Sequence, residues 1–264
     1  MRAERGRRLC TDSTKTRNTL AQIATPQAAS TVVLVRPSLG RVFEIYLNRR
    51  PDKMESYAGV YVFPGGRVEA GDYSEEMMGL THGLTALEAQ EKLGAPLQAE
   101  ICLGYWVAAV RELFEEVGIH FFAALGGAAS DLSGKKLFEQ LASRRTALQR
   151  GEIDLPKLLV SEGLYCDLAR LRYIFHRITP AHYPGRFDTR FYLAALPPDQ
   201  TPLHSSEEVS ESLWLTPQAA LERGQAESFR MMPPTVVVLR SLAAYDSWDT
   251  LCQAFGLRET LMAE

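Results

Sequence analysis

An acidic cluster at the end of a predicted helix constrains this chain more than any other feature. Glu112, Glu115 and Glu116 are spaced i, i+3 and i+4, so on a helix they share one face. Gly118 is typical of the residue just after a helix end, which puts the cluster in the last turn. Like charges at this spacing repel by about 0.2–0.5 kcal/mol, and anions near a helix C-terminus are disfavoured by about 0.3–1 kcal/mol each. We therefore predict that a divalent cation offsets the charge.

The acidic cluster belongs to a longer motif. Residues 66–72, Gly-Arg-Val-Glu-Ala-Gly-Asp, are followed later by residues 111–119, Arg-Glu-Leu-Phe-Glu-Glu-Val-Gly-Ile. Together they resemble the Nudix box, G-x5-E-x7-R-E-U-x-E-E-x-G-U, in which U is a bulky aliphatic residue. Asp72 stands where the family has Glu, which keeps the charge on a shorter side chain. The spacer runs from Tyr73 to Val110, whereas the family has only seven positions there, so a long insertion interrupts the box.

The insertion narrows the resemblance within the superfamily. Together with Phe-Pro-Gly-Gly at 63–66 and Arg-Phe-Asp-Thr at 186–189, it resembles the long-insertion branch that includes the peroxisomal coenzyme A diphosphatases. The resemblance extends from about residue 30 to about residue 221. It implies an α/β fold, a Nudix-type α/β/α sandwich with a mixed sheet. A helical insertion inside the box and extra C-terminal helices would be added to it.

Hydrophobic periodicity and turn signals predict the order of the elements. Apolar and β-branched runs predict strands at 31–36, 42–49, 59–63, 119–124, 171–178, 189–195 and 213–215. Helical patterns fall at 85–93, 97–117, 135–149, 155–170, 217–223, 233–245 and 248–255. We assign residues 1–25 to a disordered tail and residues 26–264 to a single Nudix hydrolase domain. The insertion would occupy about 73–103, and the added helices about 135–170 and 234–256.

Composition limits the function without defining it. The chain has 264 residues, 46% of them hydrophobic, which is enough for one large domain. A net charge of −3 argues against nucleic acid or an anionic membrane as a partner. Four widely spaced cysteines indicate neither a disulfide framework nor a zinc site, and no apolar run is long enough to cross a bilayer. We expect a cytoplasmic protein, with an organellar transit segment as the alternative reading of the Arg-rich stretch at 1–20.

The Nudix resemblance implies roles for the residues of the box. The cofactor would be Mg²⁺ or Mn²⁺, held by Glu112, Glu115 and Glu116 together with the backbone carbonyl of Gly66. Mg²⁺ prefers oxygen ligands and is typically held by a few carboxylates plus substrate phosphates. Glu112 is either a third ligand or the base that activates water, and Arg111 orients the carboxylates through an ion pair. The alternative for all three glutamates is an ordinary solvated helix face.

Other acidic residues are weaker candidates. Glu208 is our second candidate for the general base, with Glu211 as the runner-up, because an acidic loop before an apolar strand recurs in the fold. An ordinary solvated loop remains the alternative for both. Asp72 has either a functional role or the role of a turn residue. We expect Glu69 to be exposed to solvent, although its loop could bring it toward the metal.

Substrate-binding residues are predicted from charge and ring chemistry. A guanidinium group binds oxyanions in a bidentate manner, so we take Arg49, Arg50, Arg186 and Arg190 as candidates for contacts with substrate phosphates. Each would otherwise be a surface or strand-edge charge. Aromatic side chains that could stack on a nucleobase, unless they belong to the core, are Tyr57, Tyr61 and Phe63.

The resemblance implies metal-dependent hydrolysis of a diphosphate bond in a nucleoside diphosphate linked to another moiety. The preferred substrate is coenzyme A or an acyl-CoA, giving 3′,5′-ADP and 4′-phosphopantetheine or its acyl derivative. ADP-ribose, NADH and nucleotide sugars are the alternatives within the enzyme class. A non-catalytic Nudix module that binds a nucleotide and regulates a partner would be expected to lose box carboxylates, which are all present here. The sequence leaves the oligomeric state open, a homodimer included.

Overall fold

A mixed sheet of seven strands organises the protein. The computed structural model describes residues 24–54, 57–124, 135–183, 185–203 and 209–257, with the backbone alone for residues 135–139. The strands are β1 (Gln27–Pro37), β2 (Phe43–Arg49), β3 (Tyr61–Val62), β4 (Gly65–Arg67), β5 (Thr81–His82), β6 (Phe122–Ala124), β7 (Leu164–Asp167), β8 (Arg172–Ile178), β9 (Phe187–Ala195) and β10 (Glu211–Leu215). The helices are α1 (Glu75–Met78), α2 (Ala86–Leu93), α3 (Ala99–Val117), α4 (Lys135–Gln149), α5 (Leu155–Glu162), α6 (Pro217–Arg223), α7 (Pro233–Leu242) and α8 (Trp248–Phe255).

Strand β1 lies at the centre of the sheet. Five strands follow the order β10-β2-β1-β9-β8, and β1 and β9 run parallel while the other pairs are antiparallel. β1 and β2 pair only where residues 35–37 meet residues 43–45. Elsewhere each of the two strands pairs with the segment 61–67 instead. Strand β3 of this segment pairs with β2, and strand β4 pairs with β1. The strands predicted at 31–36 and 42–49 are therefore confirmed as neighbours, and Gly65 and Gly66 belong to a short strand of their own.

Each face of the sheet carries its own hydrophobic core. Alternation along β1 sends Val32 and Leu34 to one face, and Val33 and Val35 to the other. Helices α2, α3, α4 and α5 contribute to the first core, and α6, α7 and α8 to the second. The predicted α/β/α sandwich with a mixed sheet is confirmed.

Helix α3 is the long helix predicted at 97–117, and it ends where the sequence indicates. Gly118 follows its last residue with a φ of 73°, a left-handed conformation that glycine adopts with little strain. Trp106, Leu113 and Phe114 on α3 are almost fully buried against the sheet. The opposite face of the last turns is left for the glutamates.

The insertion turns away from the glutamates. From Tyr73 it forms α1, β5 and α2, and it then enters the first half of α3. Helix α2 belongs to the same core as the N-terminal half of α3, and the side-chain amide of Gln90 donates to the carbonyl of Leu97 at 2.6 Å. Helix α2 of the insertion therefore covers the end of α3 that lies far from the acidic cluster.

A second sheet of three strands was absent from the sequence prediction. Strand β7 pairs with β5 and with β6. The predicted helix at 155–170 is thus wrong after Glu162, because residues 164–167 form β7. Only Leu164 and Cys166 of this strand are buried, and two alternations are too few to show a strand period in the sequence. The strand predicted at 119–124 is present in shortened form as β6.

Other predicted elements are confirmed with shifted bounds, such as β1, which begins four residues before the predicted 31–36. The predicted tail at 1–25 lies almost wholly outside the described residues. The assignment of residues 26–264 to a single domain stays a prediction. In the part of the chain that the structure describes, no helix is long and apolar enough to cross a membrane.

His120 packs against aromatic rings of the first core. Its ring stacks on that of Phe122 with centroids 5.3 Å apart, and Phe114 meets it edge-on. The Nδ1 atom is buried, with no hydrogen-bond partner among the described residues. Burial lowers the pKa of His120 to about 4, although Asp199 opposes the shift.

We expect His120 to weaken the fold as the pH falls. Below about pH 6.5 the unfolded chain binds a proton on this ring, which the folded chain does not bind until about pH 4. Stability is therefore lost between these values, by about 2 kcal/mol for a ring that retains some contact with water. Urea unfolding of the wild type and of His120→Phe at about pH 7 and pH 4.5 measures the effect. An equal loss in both proteins would contradict the assignment.

Candidate active site

The glycines of β4 lie directly against the carboxylates of α3. The peptide N–H of Gly65 donates to Oε2 of Glu116 at 3.0 Å. A Cβ atom at Gly66 would overlap the carboxyl group of Glu112, so only glycine permits this approach. Gly65 has a φ of 155°, and a Cβ there would come within 2.7 Å of the Cα atom of Thr31. The structure thus brings the two predicted halves of the site, helix end and glycine segment, into contact.

The register of β4 decides which glycine carbonyl faces the glutamates. Val32 donates to the carbonyl of Pro64, and the next hydrogen-bonded pair of this antiparallel ladder is Ser30 with Gly66. The carbonyl of Gly66 therefore faces β1. Gly65 belongs to a pair that does not bond across the ladder, and its N–H already points to Glu116. The geometry favours the carbonyl of Gly65, rather than the predicted carbonyl of Gly66, as an oxygen directed toward α3.

Arg111 connects the carboxylates to the loop after β4. Its Nε and one terminal nitrogen donate to both oxygens of Asp72, at 2.8 and 3.0 Å. The terminal nitrogen that contacts Asp72 also donates to the carbonyl of Arg67, at 2.8 Å. The other terminal nitrogen donates to Glu112 at 2.9 Å and to Glu115 at 3.3 Å. Burial disfavours the charge of Arg111, but the hydrogen bonds and charge of Asp72 raise its pKa above the usual value. Asp72 therefore anchors Arg111.

Burial also changes the acidity of the glutamates. It raises the pKa of Glu112 to about 7, with Glu115 adding to the rise and Arg111 opposing it. The pKa of Glu115 is likewise raised by burial. The side chains of Glu112 and Glu115 are only 12% and 19% exposed, so their charges are poorly solvated. Positive charge supplied at this place would stabilise both carboxylates.

The residues present match a divalent ion in donor chemistry. Carboxylate and carbonyl oxygens are the ligands that suit Mg²⁺ and Mn²⁺. In the arrangement described, however, no three Asp, Glu, His or Cys side chains among the described residues converge closely enough to hold an ion. Glu112 and Glu115 instead contact Arg111, and Glu116 accepts from Gly65. Side-chain rotation at the end of α3 would redirect these oxygens toward an ion.

A cavity of about 260 Å³ lies beside the glycines, against the other face of the sheet. It is bounded by β4 and by residues of β1 and β9 that alternate away from α3. Aromatic, hydroxyl and guanidinium groups share its lining, and none of the described lining residues carries a carboxylate. They include Phe63, Tyr57, Phe187, Thr31, Thr189, Thr235, Arg50 and Arg67. No residue of the insertion between 73 and 103 is among them.

The predicted arginines fall into different environments. Arg50 lines this cavity. Arg49 contacts Asp52 at 2.7 Å and Ser210, and Arg186 donates to the carbonyls of Thr179 and Ala24. Arg190 is buried on the α3 side of the sheet, paired with Asp188, and stacked over Tyr105 at 4.6 Å. Tyr105 lies seven residues before Glu112, or about 10 Å along the helix, so Arg190 is remote from the glutamates.

The remaining candidates are also separated. Tyr61 is a core residue that stacks on Phe229 and donates to Glu211 at 2.7 Å. Burial, with Glu211 adding to the effect, raises the pKa of Tyr61 to about 12. Glu208 lies outside the described residues, so its role stays a prediction. Glu69 is exposed as expected, and its peptide N–H donates to Asp72.

Two residues of α4 that contact the last turn of α3 were not predicted from the sequence. Arg145 and Gln149 of α4 both donate to the backbone carbonyl of Glu115, at 2.7 and 2.6 Å. Nothing in the sequence near 135–149 indicates such a partner, because α4 and the end of α3 are far apart along the chain. A second cavity of about 270 Å³ lies between Glu115 and the segment that connects α4 to α5.

Comparison with known proteins identifies the family. The family model of the NUDT19 Nudix domain matches residues 20–242. Acyl-coenzyme A diphosphatase NUDT19 of Gallus gallus is 28% identical in an alignment 243 residues long that covers 79% of this chain and 63% of that protein. Putative nudix hydrolase 7 of Caenorhabditis elegans is 27% identical over 233 residues, 87% of this chain and 64% of that protein. The chain thus spans less than two thirds of the length of these relatives.

A solved structure supports the same family. The crystal structure of a NUDIX hydrolase from Alicyclobacillus acidocaldarius matches with a TM-score of 0.68 and 25% identity, over 88% of this chain and 97% of that one. The matched segment of the family model holds both halves of the box, the insertion and the cavity. The chain therefore belongs to the NUDT19 Nudix domain family.

Proposed function

We propose that this Nudix hydrolase cleaves the diphosphate bond of coenzyme A or acyl-CoA with the help of Mg²⁺ or Mn²⁺. The products are 3′,5′-ADP and 4′-phosphopantetheine or its acyl derivative. The observation that carries the proposal is the contact of Glu112 and Glu116 with the two glycines of β4. It brings half-buried carboxylates against two glycines that border a cavity of suitable size for part of a nucleotide.

The chemistry assigns different tasks to the residues. Glu115, Glu116 and the carbonyl of Gly65 would hold the ion, which supplies positive charge to the phosphate oxygens and activates the attacking water. Glu112 would accept the proton of that water, because its carboxyl group lies against Gly66 and is held by Arg111. Arg111 orients Glu112 and Glu115 while Asp72 holds its other side.

The cavity supports a substrate with an anionic nucleotide end. Arg50 and Arg67 are both among its lining residues, and the described lining has no carboxylate to repel a phosphate group. Coenzyme A carries a 3′-phosphate that ADP-ribose and NADH lack. The relatives named as acyl-coenzyme A diphosphatases point to the same substrate class. The insertion, which lies at the far end of α3, adds no support for the pantetheine arm.

A substrate panel tests the activity directly. Purified protein is incubated with Mg²⁺ or Mn²⁺ and with coenzyme A, acyl-CoA, 3′-dephospho-CoA, ADP-ribose or NADH, and the products are identified by mass. We expect coenzyme A and acyl-CoA to be the preferred substrates. Equal rates on NADH and coenzyme A would contradict the proposed substrate, and the absence of any cleavage would contradict the activity.

The 3′-phosphate can be assigned to Arg50 by one substitution. We expect Arg50→Gln to raise the KM for coenzyme A about tenfold, because one charge-assisted contact contributes about 1.5 kcal/mol. The KM for 3′-dephospho-CoA should hardly change. Arg36→Gln is the control, since Arg36 pairs with Glu44 away from the cavity. An equal rise in the KM for both substrates would show that Arg50 does not recognise this phosphate.

Replacement of Glu115 separates an enzyme from a binding module. Glu115→Gln should reduce turnover by several orders of magnitude at saturating substrate, since it removes a charged oxygen ligand while keeping the side-chain shape. Glu100→Gln, the same change in the exposed first turn of α3, should leave turnover unaffected. Circular dichroism and thermal unfolding check that both variants fold. Unchanged turnover in Glu115→Gln would remove Glu115 from the catalytic site.

A single methyl group tests the glycine contact. Gly66→Ala places a Cβ atom where the carboxyl group of Glu112 lies, so we expect Glu112 to be displaced and turnover to fall by at least about tenfold. Gly71→Ala is a matched control in the same segment, because a Cβ atom there meets nothing within 4 Å. Steady-state kinetics of the two variants give the comparison, and equal kcat values would refute the importance of this contact.

A further inference from the structure

Helix α4 lies outside the Nudix box, yet it reaches the last turn of α3. The carbonyl of Glu115 accepts two side-chain hydrogen bonds, one from Arg145 at 2.7 Å and one from Gln149 at 2.6 Å. The last four carbonyls of a helix have no partner within the helix itself. Here the carbonyl of Phe114 accepts from the peptide N–H of Gly118, and the carbonyl of Val117 accepts from that of Leu203. Glu115, by contrast, is bonded to side chains of another helix.

The position of Arg145 on α4 is unusual for a charged residue. Leu141 and Leu148, four residues before it and three after it, are 2% and 7% exposed and pack into the first core. Arg145 therefore lies on the buried side of α4, where an apolar residue would pack without a need for a partner. Arg144 separately joins α4 to α5 through Glu162 at 2.8 Å. The attachment of α4 thus has other contacts besides Arg145.

We infer that Arg145, assisted by Gln149, is a positioning residue for the metal-binding carboxylates, an inference that rests on the proposed function. Its guanidinium fixes the backbone of the residue that carries one of those carboxylates. It also places a positive charge at the negative end of the α3 dipole, beside the side chain of Glu115. Holding this turn keeps Glu115 and Glu116 in register with Gly65.

The inference predicts a specific effect on metal binding. Arg145→Met keeps the apolar stem of the side chain and removes the donor and the charge. We expect it to weaken Mn²⁺ binding about tenfold, the lower end of the effect of losing a group that orients metal ligands. Arg145→Lys keeps the charge and can still donate, although without the planar guanidinium, so it should recover part of the loss. Arg144→Met is the matched control on the same helix, because Arg144 contacts Glu162 and not α3.

Mn²⁺ titration of the full chain without substrate, followed by electron paramagnetic resonance, measures the Kd independently of activity. Thermal unfolding in metal-free buffer shows whether each variant folds. A Kd for Arg145→Met within twofold of that for Arg144→Met would overturn the inference. If Arg145→Met does not fold, Arg145→Lys and Gln149→Leu carry the comparison, and wild-type Kd values in both would overturn it equally. Failure of the wild type to bind Mn²⁺ would instead refute the metal site of the proposed function.

Discussion

The close approach of β4 to the last turns of α3 is the constraint on which the site depends. It requires two residues without side chains, because a Cβ atom at Gly66 would occupy the place of the Glu112 carboxyl group. It also requires that β1 and β2 separate, since β4 pairs with β1 in the gap that this separation leaves. Strand register then turns Gly65 toward Glu116. The glutamates lie against the glycines, which also border the cavity, only because these conditions hold together.

Charge at the helix end is balanced only in part by the protein. The three box glutamates and Asp72 carry four negative charges when ionised, whereas Arg111 and Arg145 supply two positive charges. The electrostatic argument from sequence, that such a helix end needs a cation, is thus met partly by arginines. One bound divalent ion would match the remaining two negative charges.

Local signals in the sequence predicted local features well. The end of α3 at Gly118, the strands of the main sheet and the acidic face follow from periodicity and capping within single elements. What could not be predicted depends on contacts distant in sequence. Strand β7 is too short to show a period, and it pairs with β5, which precedes it by several intervening elements. The choice between the carbonyls of Gly65 and Gly66 needs the register with β1, and Arg145 needs the packing of α4.

The glutamates and the cavity lie on different faces of the sheet, and the described insertion lines no part of that cavity. The box glutamates lie on the α3 side, while the cavity opens on the side of β1 that faces α7. The insertion leaves the box at Tyr73, and its helix α2 lies along the N-terminal half of α3. If the proposed nucleotide binds in this cavity, residues of β1, β9 and α7 such as Thr235 would set specificity without contacting the carboxylates or Arg111.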